Sequence, residues 1–171
     1  KIEHKRTGME EIYIKSGDKV ISKVFVEDCI EALEDCIEDY PHVFAVMDAD
    51  VAMKCPAASQ IAEVMNRRGV PGKLIEASEE TKTMETVMEI CGWLLDGGAD
   101  RDALVLAIGG GITSDMVGFA ASIYKRGVRF AYVPTTLLAQ VDASIGGKTG
   151  VNFDNYKNML GVIRQPEFTF V

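Results

Sequence analysis

Residues 103 to 108 read Ala-Leu-Val-Leu-Ala-Ile, an unbroken apolar run that leads into three consecutive glycines at 109, 110 and 111. A strand with one wet face alternates apolar and polar residues, so a run without alternation is buried on both faces. A sheet covered on both sides needs helices as covers, and the sequence supplies them between further strand-like runs. Ile12–Ile14 reads as a short strand, and Val24–Glu38 as a helix with apolar residues at 26, 29, 30, 33, 36 and 37, near a 3.6 period. Val43–Met47 is a compact strand ending at Asp48; Pro56–Arg68 suits a helix with proline in its first turn and Gly69 as its stop. Lys73–Glu76 is a further strand, and Thr81–Asp96 a helix with Met84, Val87, Met88, Cys91, Leu94 and Leu95 on one stripe, ended by Gly97-Gly98. After the glycines come a helix over 115–125 and a strand over Arg129–Val133, and residues 167–171 are again strand-like. Strands separated by helices of this length pair in parallel through right-handed crossovers, which predicts an α/β fold with a Rossmann-like, doubly wound parallel sheet.

The chain's 171 residues, 47% of them hydrophobic, are enough for one sizeable core. Net charge is −8, and no cluster of Lys and Arg could neutralise a nucleic-acid backbone or an anionic membrane surface. The longest strongly apolar run falls far short of the roughly 18 residues that span a bilayer, and the N-terminus shows no signal-peptide pattern. A soluble, cytoplasmic protein with neither nucleic acid nor membrane as partner is expected. The cysteines at 29, 36, 55 and 91 have neither CxxC spacing nor disulfide-framework density and read as reduced core thiols, with Cys29 and Cys36 on one helix face. The two histidines, His4 and His42, have no second ligand at metal spacing, so no metal site is expected in this chain.

Flexible residues between two buried elements have a physical use. In an open parallel sheet, ligands sit at the carboxyl ends of strands, where a glycine turn into a helix presents bare amides and a helix N-terminus to an anion. Gly109, Gly110 and Gly111 permit close approach, Thr113 or Ser114 can cap the helix, and Asp115 falls in its first turn. Ser114 stands where the common dinucleotide fingerprint has its third glycine, and a tight turn with an ordinary cap accounts for the same residues. Gly147-Lys148-Thr149 is not the end of a P-loop, because the leading glycine would fall at Asp142.

The segment VPTTLLAQVDASIGGKTGVNFDNYKNML, residues 133 to 160, gathers Thr135, Thr136, Gln140, Asp142, Ser144, Lys148, Asn152, Lys157 and Asn158 among apolar residues and glycines. Lysines and an aspartate in a partly buried, glycine-bearing stretch suit an anionic substrate, and a salt-bridged structural loop is the alternative. Order in residues 140–160 is not dictated by any local pattern, and disorder is expected there.

The run GGGITSDMVGFAASIYKRGVRFAYVPTTLLAQVDASIGGKTGVN followed by NYKNMLG resembles the 3-dehydroquinate synthases, from the strand near Val43 to the last residue. The resemblance implies that residues 1–171 form an N-terminal NAD-binding α/β domain, a fragment of a longer two-domain enzyme whose helical, metal-binding C-terminal domain is absent here. Carried over by position, Asp48 corresponds to the acidic residue that holds the adenosine ribose, and Asp50 stands where the family often has Asn. Glu79 and Lys82 correspond to cofactor contacts, as do Gly110, Gly111, Ile112, Thr113, Ser114 and Asp115 around the pyrophosphate and nicotinamide, and then Thr135 and Thr136. Ser114 replaces a frequent family glycine. Asp142, Lys148 and Asn158 match catalytic, substrate-site positions, and Lys148 and Lys157 also lie near the cofactor in relatives.

The reaction this implies converts 3-deoxy-D-arabino-heptulosonate 7-phosphate, a sugar phosphate, into 3-dehydroquinate and phosphate in the shikimate pathway. Transient oxidation of a secondary alcohol by NAD acidifies the neighbouring carbon and permits phosphate elimination, after which the hydride is returned. In the family a divalent metal, zinc or cobalt, is held by one glutamate and two histidines of the C-terminal domain, and the full-length enzymes are commonly homodimers. A chain without that domain is expected to have no turnover. A related sugar-phosphate cyclase, a polyol dehydrogenase and a stand-alone nucleotide-binding module are the alternatives.

Overall fold

The computed structural model describes residues 10–171. Strands β1 (Glu10–Ser16) and β2 (Lys19–Val26) form an antiparallel hairpin whose turn places Gly17 at a φ of +60°, a left-handed conformation natural to glycine. Helix α1 (Ala32–Ile37) and strand β3 (Val43–Asp48) follow, and β3 runs directly into the short helix α2 (Ala49–Lys54) and then α3 (Ala58–Arg67). Strand β4 (Gly72–Ile75) leads through a loop to α4 (Met84–Asp96), which Thr83 caps by accepting from the Thr86 N–H. Strand β5 (Leu104–Gly109) passes through the glycines into α5 (Gly111–Ile123), and a short 3-10 turn leads to β6 (Arg129–Pro134). A five-residue π-turn at Ala139–Ala143 precedes the hairpin of β7 (Lys148–Phe153) and β8 (Tyr156–Ile163), and β9 (Phe168–Phe170) closes the described chain.

The main sheet has the order β1-β2-β9-β6-β5-β3-β4, parallel throughout except for the β1–β2 pair. Its layers explain the apolar run. All six β5 residues are buried, Val105 and Ala107 against α4 and α5, Leu104, Leu106 and Ile108 against α1 and α3. Each Val, Leu or Ile so buried contributes about 1.5–3 kcal/mol, so β5 is a main anchor of both half-cores. The doubly wound α/β reading therefore holds. From β3 the chain steps outward to β4 and then returns past β3 to β5, so successive connections diverge between the ends of β3 and β5. That is where such sheets open a crevice. No helix among the described residues is long and apolar enough to cross a membrane.

Four expectations need correction. The helix expected from Val24 begins only at Ala32, because Lys23, Val24 and Phe25 pair with Phe168, Thr169 and Phe170 of β9; sheet pairing overrides the apolar period. Cys29 consequently lies outside α1 and is exposed, while Cys36 is half-buried on it, so the two do not share a helix face. All four thiols are free, none of them fully buried, and burial pushes the Cys36 thiol up to about 12. Helix α5 starts at Gly111 rather than 115, so Thr113 and Ser114 lie inside its first turn, neither caps it, and Asp115 sits one turn further in. Residues 140–160 are not disordered but hold the π-turn and most of the β7–β8 hairpin.

Long-range contacts order that hairpin. Val151 is buried in the core beneath α5, the Asn152 N–H donates to the Lys82 carbonyl at 2.9 Å, and Gly150 lies directly opposite Gly161, where a Cβ on either would strike the facing strand's backbone. Its tight turn uses Asp154 and Asn155 at left-handed φ of 48° and 64°. The hairpin packs on α5 at Gly118, where an added Cβ would meet the buried Tyr132 hydroxyl and would lie 2.7 Å from Thr149 Cγ2. The Tyr132 hydroxyl has no hydrogen-bond partner. Gly118→Ala is therefore expected to destabilise the chain by about 1–3 kcal/mol in urea unfolding, and adding Tyr132→Phe should recover part of the loss. An additive double variant would show that the two groups do not collide.

Candidate active site

Two hollows, one at the carboxyl ends of the parallel strands and one against the β7–β8 hairpin, hold many of the residues singled out in the sequence. The first, about 550 Å³, lies at the β3–β5 divergence and is lined by Asp48, Gly110, Gly111, Ile112, Thr113, Thr135 and Thr136, with residues of α2 and Ala77. Gly110 precedes α5 and no side chain caps the helix there, so its first-turn N–H groups face this hollow without an intrahelical acceptor. A Cβ on Gly110 would come within 3.2 Å of Thr136 Cγ2 across this hollow, and one on Gly111 within 3.3 Å of Ala143 Cβ, a residue of the second hollow's wall, so glycine keeps both approaches uncrowded. Thr113 Oγ1 is buried there without a partner. Asp48 caps α2 with one oxygen, accepting the Asp50 N–H at 3.0 Å, and Asp50 itself pairs with Lys54 on the surface. Bare amides, a helix N-terminus and a carboxylate at the strand end are the donor set that a dinucleotide requires.

The second hollow, about 490 Å³, is lined by Asp115, Asp142, Lys148 and Asn158, with Gly146 and residues of β7 and β8. Asp142 comes from the π-turn, Lys148 from the start of β7 and Asn158 from a bulged stretch of β8, at a φ of +55° that asparagine tolerates. The π-turn and the hairpin that follows it thus bring an acidic residue, a lysine and an amide to one cavity, which Asp115 of α5 joins.

A buried ion pair backs the second hollow. The Lys82 ammonium, 5% exposed, donates to Asp115 Oδ2 at 2.6 Å and to Asn158 Oδ1. An unpaired ammonium in that position would cost several kcal/mol, so the pair fixes the loop after β4 against α5. Burial raises the Asp115 carboxyl above its ordinary range while Lys82 pulls it down. Asp115 lies beyond the first turn of α5, where it lines the second hollow and its carboxylate meets the Lys82 ammonium. Glu79 and Lys157 line neither hollow. They pair on the surface at 3.4 Å, where the Asn152 amide lowers the Glu79 carboxyl, as Lys157 and Lys82 also do. Ser114 is turned inward, its hydroxyl bonding the Gly110 carbonyl and the buried Ser144 hydroxyl at 3.3 Å. The sequence marks Ser144 and Asn152 only as polar residues of the 133–160 segment and gives neither a role in this network; Asn152 reaches partners 73 and 6 residues away, which no local pattern reveals. Among the described residues no three His, Cys, Asp or Glu side chains come together as a metal site.

The family profile described as 3-dehydroquinate synthase N-terminal matches residues 73–171, which include the glycine turn and the whole lining of the second hollow. The chain belongs to the 3-dehydroquinate synthase family. It is 34% identical to a 3-dehydroquinate synthase of Clostridium tetani over 98% of this chain and 45% of that protein, so it spans about half the length of such relatives. Among solved structures it is similar to a 2-epi-5-epi-valiolone synthase from Streptomyces hygroscopicus subsp. jinggangensis with NAD+ and Zn2+ bound, at a TM-score of 0.78 and 35% identity over 92% of this chain and 44% of that one. It is also similar to a 2-deoxy-scyllo-inosose synthase complexed with carbaglucose-6-phosphate, NAD+ and Co2+, at a TM-score of 0.78 and 27% identity over 95% of this chain and 45% of that one.

For this 3-dehydroquinate synthase-family chain, Lys82→Met would leave the Asp115 carboxylate buried without its cation. The expected loss of stability is about 3 kcal/mol at neutral pH. Without Lys82 the folded Asp115 pKa rises further above its unfolded value, so the penalty grows as pH climbs through that pKa and shrinks in acid, where Asp115 takes up a proton. Urea unfolding at pH 4 and pH 7 checks this; a pH-independent loss would contradict the pairing.

Proposed function

We propose that residues 1–171 are the cofactor-binding, N-terminal half of a two-domain 3-dehydroquinate synthase, converting 3-deoxy-D-arabino-heptulosonate 7-phosphate into 3-dehydroquinate and phosphate. The observation that carries the reading is the division of labour between the hollows: an anion-ready glycine turn beside Asp48, and next to it a cavity gathering Asp115, Asp142, Lys148 and Asn158.

In this reading the α5 N-terminus with Gly110, Gly111, Ile112 and Thr113 binds the pyrophosphate of NAD. Asp48 accepts from a ribose hydroxyl with the oxygen that α2 leaves free, and Thr135 and Thr136 close the far wall. Bound NAD supplies reversible two-electron oxidation of an alcohol. Lys148 offers its ammonium to the phosphate or carboxylate of the sugar, Asn158 orients a hydroxyl, and Asp142 accepts one. Asp115, fixed by Lys82, lies between cofactor and substrate, with Glu79 and Lys157 at the rim. Holding the sugar with its leaving phosphate aligned is the main catalytic contribution of these side chains. The ligands of a divalent metal, zinc or cobalt, belong in this proposal to a helical C-terminal domain, and the working enzyme is a cytoplasmic homodimer. The similarity at 35% identity to a valiolone synthase supports one second reading, a sugar-phosphate cyclase with another sugar as substrate.

The two-domain enzyme is expected to release phosphate from 3-deoxy-D-arabino-heptulosonate 7-phosphate without accumulating NADH, whereas the 171-residue chain with added zinc or cobalt should release none. Net NADH formation would instead indicate a dehydrogenase. Phosphate release only from another sugar phosphate would favour the second reading, and turnover by the chain alone would refute the assignment of the metal site elsewhere.

A further inference from the structure

Asn152 makes three kinds of contact that no single surface residue needs. Its Oδ1 accepts the Asn158 N–H at 3.0 Å, its Nδ2 donates to both the backbone carbonyl and Oε2 of Glu79 at 3.2 Å, and its own N–H donates to the Lys82 carbonyl at 2.9 Å. The first contact lies where the β7–β8 ladder slips. Val151 pairs with Leu160 and Phe153 with Tyr156, which leaves Asn152 facing a bulge in which Asn158 turns left-handed. Such a turn takes the Asn158 N–H out of the strand ladder, and the Asn152 carbonyl oxygen replaces the lost partner. The orientation this imposes carries Asn158 Oδ1 onto the Lys82 ammonium and its side chain into the wall of the second hollow. The remaining contacts hold the loop of Glu79 and Lys82 against the same strand.

We propose that Asn152 is a positioning residue that holds Asn158 and the Glu79–Lys82 loop in one arrangement, so that the cofactor side and the substrate side of the cleft are set together. The proposal rests on the function proposed above, with Glu79 at the rim of the cofactor side, and on Ala77 of the same loop, which lines the first hollow. The two halves of the amide act separately, since the acceptor sets Asn158 and the donor sets Glu79.

Replacing asparagine by aspartate separates these roles, because Asn152→Asp keeps an acceptor for the Asn158 N–H but cannot donate to Glu79. Amide hydrogen exchange on the 171-residue chain without ligand reads the acceptor. Asn158 should be protected in the wild type and in Asn152→Asp, and should exchange at least about tenfold faster in Asn152→Ala while the β5 amides keep their protection. Unchanged protection in Asn152→Ala, or equal loss in both variants, overturns the role of the acceptor. In the two-domain enzyme, Asn152→Asp should keep KM for the sugar phosphate within about threefold and raise that for NAD about tenfold, whereas Asn152→Ala raises both. Equal effects of the two variants on both constants, or a loss confined to kcat, contradict the separation of roles. A wild-type enzyme without turnover would refute the proposed reaction alone, since the exchange measurement decides the acceptor role independently of it.

Discussion

Strand β5 has no side that can face water. Both of its faces must be covered, so helices flank the sheet on each side and the chain has to cross over between parallel strands, outward to β4 and then back to β5 and β6. The divergence of those crossovers leaves a crevice at the ends of β3 and β5. The chain meets it with Asp48 on one side and Gly110-Gly111 on the other. Burial of one six-residue run thus places the glycine turn and its helix N-terminus at the crevice without any catalytic residue having been specified.

A second layer is built by electrostatics. Lys82 is far too buried to remain unpaired, and its partners, Asp115 and Asn158, arrive from α5 and from the β7–β8 hairpin. A loop, a helix and a hairpin are pinned at one ammonium. The wall of the proposed substrate side is thereby fixed to α5, whose N-terminus lines the proposed cofactor side, and Asn152 ties the hairpin to the loop that carries Lys82.

Much of this frame was legible in the sequence because it depends on local pattern. The continuous apolar run at 103–108, the compact strands at 43–47 and 129–133 and the glycine turn each express a short-range requirement, and each forms where expected. Legibility failed where a distant partner decides. The apolar residues from Val24 to Ile37 satisfy a helical period, yet β9, from the far end of the chain, claims the first of them for the sheet. Residues 140–160 lack a strong local signal and are ordered by Val151 in the core, by the facing glycines 150 and 161 and by Asn152. At the site, family position led to Asp48, the glycines, Lys148 and Asn158, all of which line the hollows. It could not reveal that Ser114 turns inward to Ser144 or that Lys82 is buried against Asp115.

The central claim is that the glycine turn at the β3–β5 divergence is itself a dinucleotide site. Calorimetric titration of the chain with NAD, beside a Gly110→Val variant, tests it most directly, because the added side chain fills the hollow near Thr136 and leaves the core untouched. The account predicts saturable binding by the wild type and at least about a tenfold weaker Kd in the variant, with far-ultraviolet circular dichroism unchanged. Equal affinity in the two chains would contradict it, placing the cofactor somewhere other than this turn.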